Sequence, residues 1–332
     1  MAAPLMHPLT ITLKELIFML KIPSPISSLG TGLMASTTAA TLVAAGHSVI
    51  FWGRTEESLQ RGRDGAEKAL RELEANGLLK ERTPDCLARI SGTTLLSEAV
   101  KGASFIIESL SENLELKRKI LGETEKHCSP EAILASNTSG LLPSAIALSL
   151  KRPGRFLVTH FWNPAHLIPL VELCAGENTA PETTAQVKAF LEFSGKKPAV
   201  LAKEAHGFIV NRLQYALLRE AFFIVDSGIA TMEEVDCAMK ASLGRRLADT
   251  GPFETADLGG LDVFLSIMEY LYPDLSRESA PSPLIRERVE KGDLGAKTGR
   301  GLYDWSPEKR SAILAKRQKT LIRFLKEDLK SS

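Results

Sequence analysis

The sequence has almost no net charge, no paired cysteines and no long unbroken apolar run near its start, and each shortage excludes something. With 41 Lys and Arg against 40 Asp and Glu, the formal net charge is +1. A chain so balanced has no long-range field with which to gather nucleic acid or an anionic membrane surface, so any anion must be held by local geometry. Four cysteines, Cys86, Cys128, Cys174 and Cys237, lie far apart, with no CxxC pair and no Cys/His cluster at zinc spacing. That argues against a metal site and fits reduced thiols in a cytoplasmic protein. The apolar-rich stretch Leu9–Leu20 is interrupted by Lys14 and Glu15, which disfavours both a signal-peptide core and a membrane span. Residues 1–24 also lack the Arg-rich character of a transit peptide and are expected to form a short extra helix or a poorly ordered extension.

What is present reads as two domains in 332 residues, with 44% hydrophobic and 24% charged side chains. From residue 25 to 202, short apolar runs alternate with longer helical stretches. Strands are expected at Pro25–Leu29, Ser48–Trp52, Arg89–Ser91, Ser104–Glu108, Ala132–Ala135, Arg155–His160, Ile168–Leu173 and Pro198–Ala202, with helices such as Leu33–Ala45, Glu56–Asn76 and Leu114–His127 between the early ones. Such alternation predicts βαβ units: an α/β, Rossmann-type, mostly parallel sheet. From residue 207 to 332 only helical spacing remains, which predicts an all-helical C-terminal domain and a boundary near Lys203–His206. The last helix carries eight Lys/Arg against three Asp/Glu from Glu308 onward, but Leu314, Leu321 and Leu325 share one face, so it reads as an amphipathic closing helix.

Gly30-Thr31-Gly32-Leu33-Met34-Ala35 fits GxGxx(G/A) after a strand and before an Ala-rich helix. The first glycine allows the tight turn, the second lets a pyrophosphate approach the backbone, and Ala35 serves the close helix–strand contact. Phosphates would then meet free N–H groups at the helix start, from Leu33 and Met34 onward, where the macrodipole favours anions. Two features are atypical. The first strand, Ile26-Ser27-Ser28-Leu29, is polar for a strand buried on both faces. The position expected to hold a ribose-binding carboxylate is Gly53, followed by Arg54. Removing the carboxylate removes repulsion toward a 2′-phosphate, and Arg54 can pair with one, so the cofactor is expected to be NAD or NADP.

Thr159-His160-Phe161-Trp162-Asn163-Pro164, followed by Ile168-Pro169-Leu170-Val171-Glu172, sets a His at one strand end and a Glu on the next strand. A turn between them brings the side chains within reach. A neutral imidazole takes a hydroxyl proton as hydride leaves, and a carboxylate orients it and stabilises the imidazolium. His166, in the connecting turn, reads as structural.

These segments, with Ser136-Asn137-Thr138-Ser139, Gly207-Phe208-Ile209-Val210-Asn211-Arg212, Gly251-Pro252-Phe253-Glu254 and Lys297-Thr298-Gly299-Arg300-Gly301-Leu302-Tyr303, resemble the 3-hydroxyacyl-CoA dehydrogenase family. The resemblance implies NAD as the default cofactor and a helical C-terminal domain that forms a homodimer. It implies that His160 and Glu172 form an acid–base dyad, with Ser139 and Asn211 hydrogen-bonding the reacting oxygen or the imidazole. It further implies that Glu112 and Lys117 contact the nicotinamide ribose region and that Lys297 lies near the cofactor. The substrate implied is a small molecule, a short 3-hydroxyacyl-CoA. Asn211-Arg212-Leu213-Gln214-Tyr215-Ala216, Leu243-Gly244-Arg245-Arg246 and His166-Leu167-Ile168-Pro169-Leu170 also resemble the λ-crystallin/L-gulonate 3-dehydrogenase branch and a branch acting on a pyridine carboxylate without CoA. A CoA-free hydroxy acid is therefore the alternative substrate, and a non-catalytic crystallin-like protein the alternative class.

Overall fold

The computed structural model describes residues 22–330 apart from Ser24, so the expected N-terminal extension lies outside the described residues except for Ile22 and Pro23. Eight strands form one sheet: β1 (Ile26–Leu29), β2 (Val49–Trp52), β3 (Ile90–Thr93), β4 (Phe105–Glu108), β5 (Ile133–Ser136), β6 (Phe156–Phe161), β7 (Leu170–Ala175) and β8 (Lys197–Leu201). Their order is β3-β2-β1-β4-β5-β6-β7-β8, and every pair is parallel except the antiparallel β6–β7. The expected α/β, mostly parallel sheet is therefore present. The order reverses between β1 and β4, and the crevice beyond the carboxyl ends of such strands is where α/β sheets bind ligands.

The helices of this half are α1 (Leu33–Ala44), α2 (Glu56–Ala75), α3 (Thr83–Leu87), α4 (Leu96–Val100), α5 (Leu114–His127), α6 (Pro143–Ala147) and α7 (Pro181–Phe193). The polar β1 is nonetheless a central strand: Ile26 and Leu29 are fully buried, and the ladder pairs Ile26 with both Val49 and Phe105. Backbone pairing on two sides outweighs the poor strand propensity of Ser27 and Ser28. Helix α1 is buried despite its Ser and Thr content because three of its hydroxyls turn back on their own helix. Ser36 Oγ donates to Gly32 O and Thr37 Oγ1 to Leu33 O, each at 2.9 Å, and Thr41 Oγ1 donates to Thr37 O. With three of its hydroxyls satisfied internally and only Thr38 Oγ1 left buried without a hydrogen bond, α1 packs through Ala35, Ala39, Leu42 and Val43 into the sheet core.

The second half contains α8 (Val210–Asp226), α9 (Met232–Ala241), α10 (Leu243–Arg246), α11 (Pro252–Gly259), α12 (Leu261–Leu271), α13 (Pro283–Glu290) and α14 (Pro307–Lys330). Helix α9 starts on a reciprocal capping box between Thr231 and Glu234. The chain divides into two compact units, the first ending at Ile209 and taking back the stretch from Arg317, the second spanning Val210–Lys316. Contacts within the first unit explain the return of the chain end: Gln318 donates to Glu72, and Lys197 Nζ lies 2.5 Å from Asp328 Oδ1. The second unit is unusual by itself. Among its described residues no apolar side chain is buried, and Phe253, Leu258, Leu261 and Leu265 are exposed.

Candidate active site

Two walls of the first unit converge on the crevice. At the first, Gly30 leaves β1 with φ +120°, and a Cβ there would lie 2.7 Å from the Ser109 carbonyl oxygen. Only glycine fits this turn. Gly32 is different: a Cβ there meets nothing within 4 Å. The fold itself does not require this glycine, and the open space there leaves room for a pyrophosphate to approach the backbone. Gly32 is also the N-cap of α1 and makes no side-chain cap, so the first-turn N–H groups of Leu33 and Met34 face outward uncapped. Ala35 is fully buried behind them. This arrangement fits a dinucleotide phosphate.

Gly53, at the end of β2, is closed rather than vacant. A Cβ there would lie 2.5 Å from Ser58 Oγ and 3.1 Å from Thr31 Cγ2. Ser58 is held by a reciprocal capping box with Thr55 at the start of α2, so a side chain at position 53 would have to displace Ser58 from that cap. Arg54 is exposed beside it.

At the carboxyl ends of β4 and β5 a buried network fixes the crevice floor. Glu108 is fully buried and accepts from Leu110 N at 2.5 Å, Ser136 Oγ at 2.6 Å and Lys117 Nζ at 2.9 and 3.0 Å. Lys117 directs its remaining donor to Leu110 O at 3.3 Å and is itself fully buried. Its ammonium also lies 3.5 Å from Glu112 Oε2, so its effect on the crevice runs through Glu108, the 109–111 loop and Glu112. Glu112 accepts from Thr138 Oγ1 and, at 3.1 Å, from Ser139 N, which holds the Ser139 loop beside the crevice with the Ser139 residue exposed. Sequence reasoning missed Glu108, because its partners come from three separate segments.

The second wall is the β6–β7 pair. Its register sets His160 directly opposite Glu172, and His160 Nδ1 lies 2.8 Å from Glu172 Oε2. A carboxylate only accepts, so Nδ1 carries the hydrogen and Nε2 is the basic nitrogen. Trp162 Nε1 donates to the same Oε2 at 3.0 Å, and Ile209 N donates to Oε1 at 2.8 Å. The imidazole sits between two rings, Trp162 at 5.2 Å and Phe208 at 5.6 Å between centroids. Phe208 is the non-glycine residue at positive φ (+52°) among the described residues, and this turn aims Ile209 N at Glu172. Asn137 Oδ1 accepts from Phe161 N at 2.8 Å and pins the strand end after His160.

His166 stands apart from this pair. It is buried in the connecting turn with Nε2 3.0 Å from Glu72 Oε2, and burial pushes its pKa below the usual imidazole value. Lys196, also buried, donates to Ala165 O and to Ile168 O at 3.0 Å and so holds the turn from beneath. Asn211 lies in the first turn of α8 and Lys297 in an exposed turn bridged by Gly295 and Arg300, both within the second unit. Among the described residues no group of His, Cys, Asp and Glu is placed to hold a metal ion, and no helix is long and apolar enough to cross a membrane.

The family profile for the 3-hydroxyacyl-CoA dehydrogenase NAD binding domain matches residues 26–205, and the profile for the C-terminal domain of the same family matches residues 207–305. The chain belongs to the 3-hydroxyacyl-CoA dehydrogenase family. Members of this family are NAD-dependent oxidoreductases, and the glycine turn described above lies in the NAD binding domain. A 5-formyl-3-hydroxy-2-methylpyridine 4-carboxylate 5-dehydrogenase of Mesorhizobium japonicum is 31% identical over 297 residues, 90% of this chain and 96% of the relative. A probable 3-hydroxybutyryl-CoA dehydrogenase of Bacillus subtilis is 37% identical over 278 residues, 83% of this chain and 95% of the relative. The crystal structure of a 5-formyl-3-hydroxy-2-methylpyridine 4-carboxylic acid 5-dehydrogenase, described as an NAD+-dependent dismutase, superposes with a TM-score of 0.85 at 31% identity, covering 91% of this chain and 98% of that one.

Proposed function

We propose that this dehydrogenase interconverts a short 3-hydroxyacyl-CoA and the matching 3-oxoacyl-CoA, with His160 and Glu172 as its acid–base dyad. The observation that carries the reading is the 2.8 Å contact between His160 Nδ1 and the buried Glu172 carboxylate, beside the β1/β4 crevice that fits a dinucleotide. Bound NAD supplies the hydride acceptor. As the C3 hydrogen leaves as hydride, His160 Nε2 takes the hydroxyl proton, and Glu172 stabilises the imidazolium that results. In the reducing direction His160 returns that proton to the alkoxide oxygen. Ser139 and Asn211 act as hydrogen-bonding groups for the reacting oxygen or the imidazole. Glu112 and Lys117 shape the nicotinamide ribose region, and Lys297 acts near the cofactor. The aromatic walls of Trp162 and Phe208 exclude water from the imidazole flanks.

A second substrate reading, a CoA-free hydroxy acid, is favoured by the TM-score of 0.85 to the pyridine-carboxylate enzyme. Purified protein assayed with NADH and acetoacetyl-CoA, and with NAD and L-gulonate or a hydroxymethyl pyridine carboxylate, separates the two. Turnover of the thioester alone is the expected result, and turnover of a free acid alone would overturn the CoA assignment. The exposed apolar side chains of the second unit support a homodimer formed through it, since a unit with no buried apolar residue gains its core only from a partner. The closed Gly53 position and exposed Arg54 support tolerance of a 2′-phosphate, so NADP would serve beside NAD. Free cysteines, three of them buried, support a cytoplasmic location.

A further inference from the structure

Trp162 touches both members of the dyad without belonging to it, and its role goes beyond the reading above while resting on it. We infer that Trp162 is a positioning residue: its indole N–H fixes the Glu172 carboxylate so that Oε2 faces His160 Nδ1 and Nε2 faces the substrate.

Three observations lead there. First, Trp162 Nε1 and His160 Nδ1 donate to the same oxygen, at 3.0 and 2.8 Å, while Ile209 N holds the other oxygen at 2.8 Å. A carboxylate gripped at both oxygens cannot rotate about its terminal bond, and hydrogen bonds to a charged acceptor are the strong ones. Second, Glu172 is fully buried, so water does not replace a donor that is removed. Third, the indole is half-buried and lies beside the imidazole at 5.2 Å with a 56° tilt, so one side chain limits both the carboxylate's rotation and the ring's. The two dyad residues are cross-strand partners and carry Trp162 two positions beyond His160, on the same strand direction where the chain leaves β6 for the turn. An indole there spans back to Glu172, whereas a phenyl ring occupies the space without a donor.

The test is W162F, which keeps an aromatic ring and deletes the N–H, combined with E172Q in a double-mutant cycle. The assay is reduction of acetoacetyl-CoA by NADH, with melting curves and NADH binding as controls for folding. If Trp162 acts through Glu172, W162F lowers kcat by about ten- to a hundredfold, the range for a lost bond to a charged group, while KM and NADH affinity stay unchanged. In the E172Q background the same substitution then adds almost nothing, because the carboxylate it orients is gone. A merely structural tryptophan gives equal losses in both backgrounds, and that result overturns the inference, as does an unchanged kcat in W162F. Should W162F melt far below the parent, 3-benzothienylalanine at position 162 preserves the indole shape with sulfur in place of N–H, and the same cycle applies. H160A in parallel keeps the two claims distinct. Full activity in H160A removes the dyad itself, whereas an inactive H160A beside a fully active W162F removes only the role of Trp162.

Discussion

Replacing Lys196 with Met should remove a pH dependence of stability that the fold builds into the turn between the dyad strands. Lys196 Nζ is enclosed where it donates to Ala165 O and Ile168 O, and burial pushes its pKa from the ordinary 10.5 down to about 8. A lysine lowered in this way is protonated more readily in the unfolded chain than in the folded one between pH 8 and 10.5. Stability therefore rises with pH across that window. Below pH 8 the full cost of the buried ammonium is present, and the gap between the two values corresponds to roughly 3 kcal/mol. Methionine fills similar space without a charge, at the cost of leaving two carbonyls without their donor, about 1–3 kcal/mol each and nearly independent of pH. Urea unfolding of wild type and K196M at half-unit steps from pH 7.5 to 10 isolates the slope, since every other titrating group cancels in the difference. The wild type should gain on the variant by up to about 1.4 kcal/mol per pH unit above pH 8. Parallel curves would refute the reasoning, for they would mean that the ammonium is solvated.

The other predictions concern the cofactor crevice and the second unit. G30A and G32A should separate folding from binding. A Cβ at Gly30 strikes the Ser109 carbonyl and strains the turn, so G30A should lower the melting temperature and lose NAD binding together. G32A should melt like wild type yet lose the NAD-induced rise in melting temperature, and unaltered NAD binding in G32A would remove the phosphate from that turn. R54A should weaken NADPH binding and spare NADH, as read by nucleotide fluorescence, and an unchanged ratio would leave Arg54 without a role in selection. Sedimentation equilibrium should report twice the 36.1 kDa chain mass, with L265D shifting it toward monomer; a monomeric wild type contradicts the homodimer.

Much of this architecture was legible in the sequence because it depends on periodicity. The eight expected strands all form, with ends displaced by a residue or two, since an apolar run of that length between turn residues has few other places to go. The glycine turn was legible for a related reason, as Gly30 answers to backbone sterics that no other residue satisfies. Side-chain partners were not legible. Glu108 draws its donors from Leu110 and Lys117 in the segment that follows it and from Ser136, which only the β4–β5 pairing brings opposite, and nothing in their spacing marks them. The same holds for Trp162, whose bond to Glu172 depends on the β6–β7 register, and for Lys196, whose acceptors lie across the sheet edge in another loop. Gly53 gives the plainest case. Its sequence shows a missing carboxylate, while the structure adds that Ser58 and Thr31 crowd the position, so a side chain there would have to move Ser58 out of its cap. Gly62 and Gly65 in α2 were likewise silent, although they permit α2 to rest against Thr31 and Ser36 beside the glycine turn.

The most direct measurement is the rate of acetoacetyl-CoA reduction by NADH in wild type and H160A, with cofactor binding followed in both. A proton carried by His160 predicts that kcat falls by about 10²- to 10⁴-fold while NADH binds as before. An H160A enzyme that turns over at the wild-type rate would contradict the account.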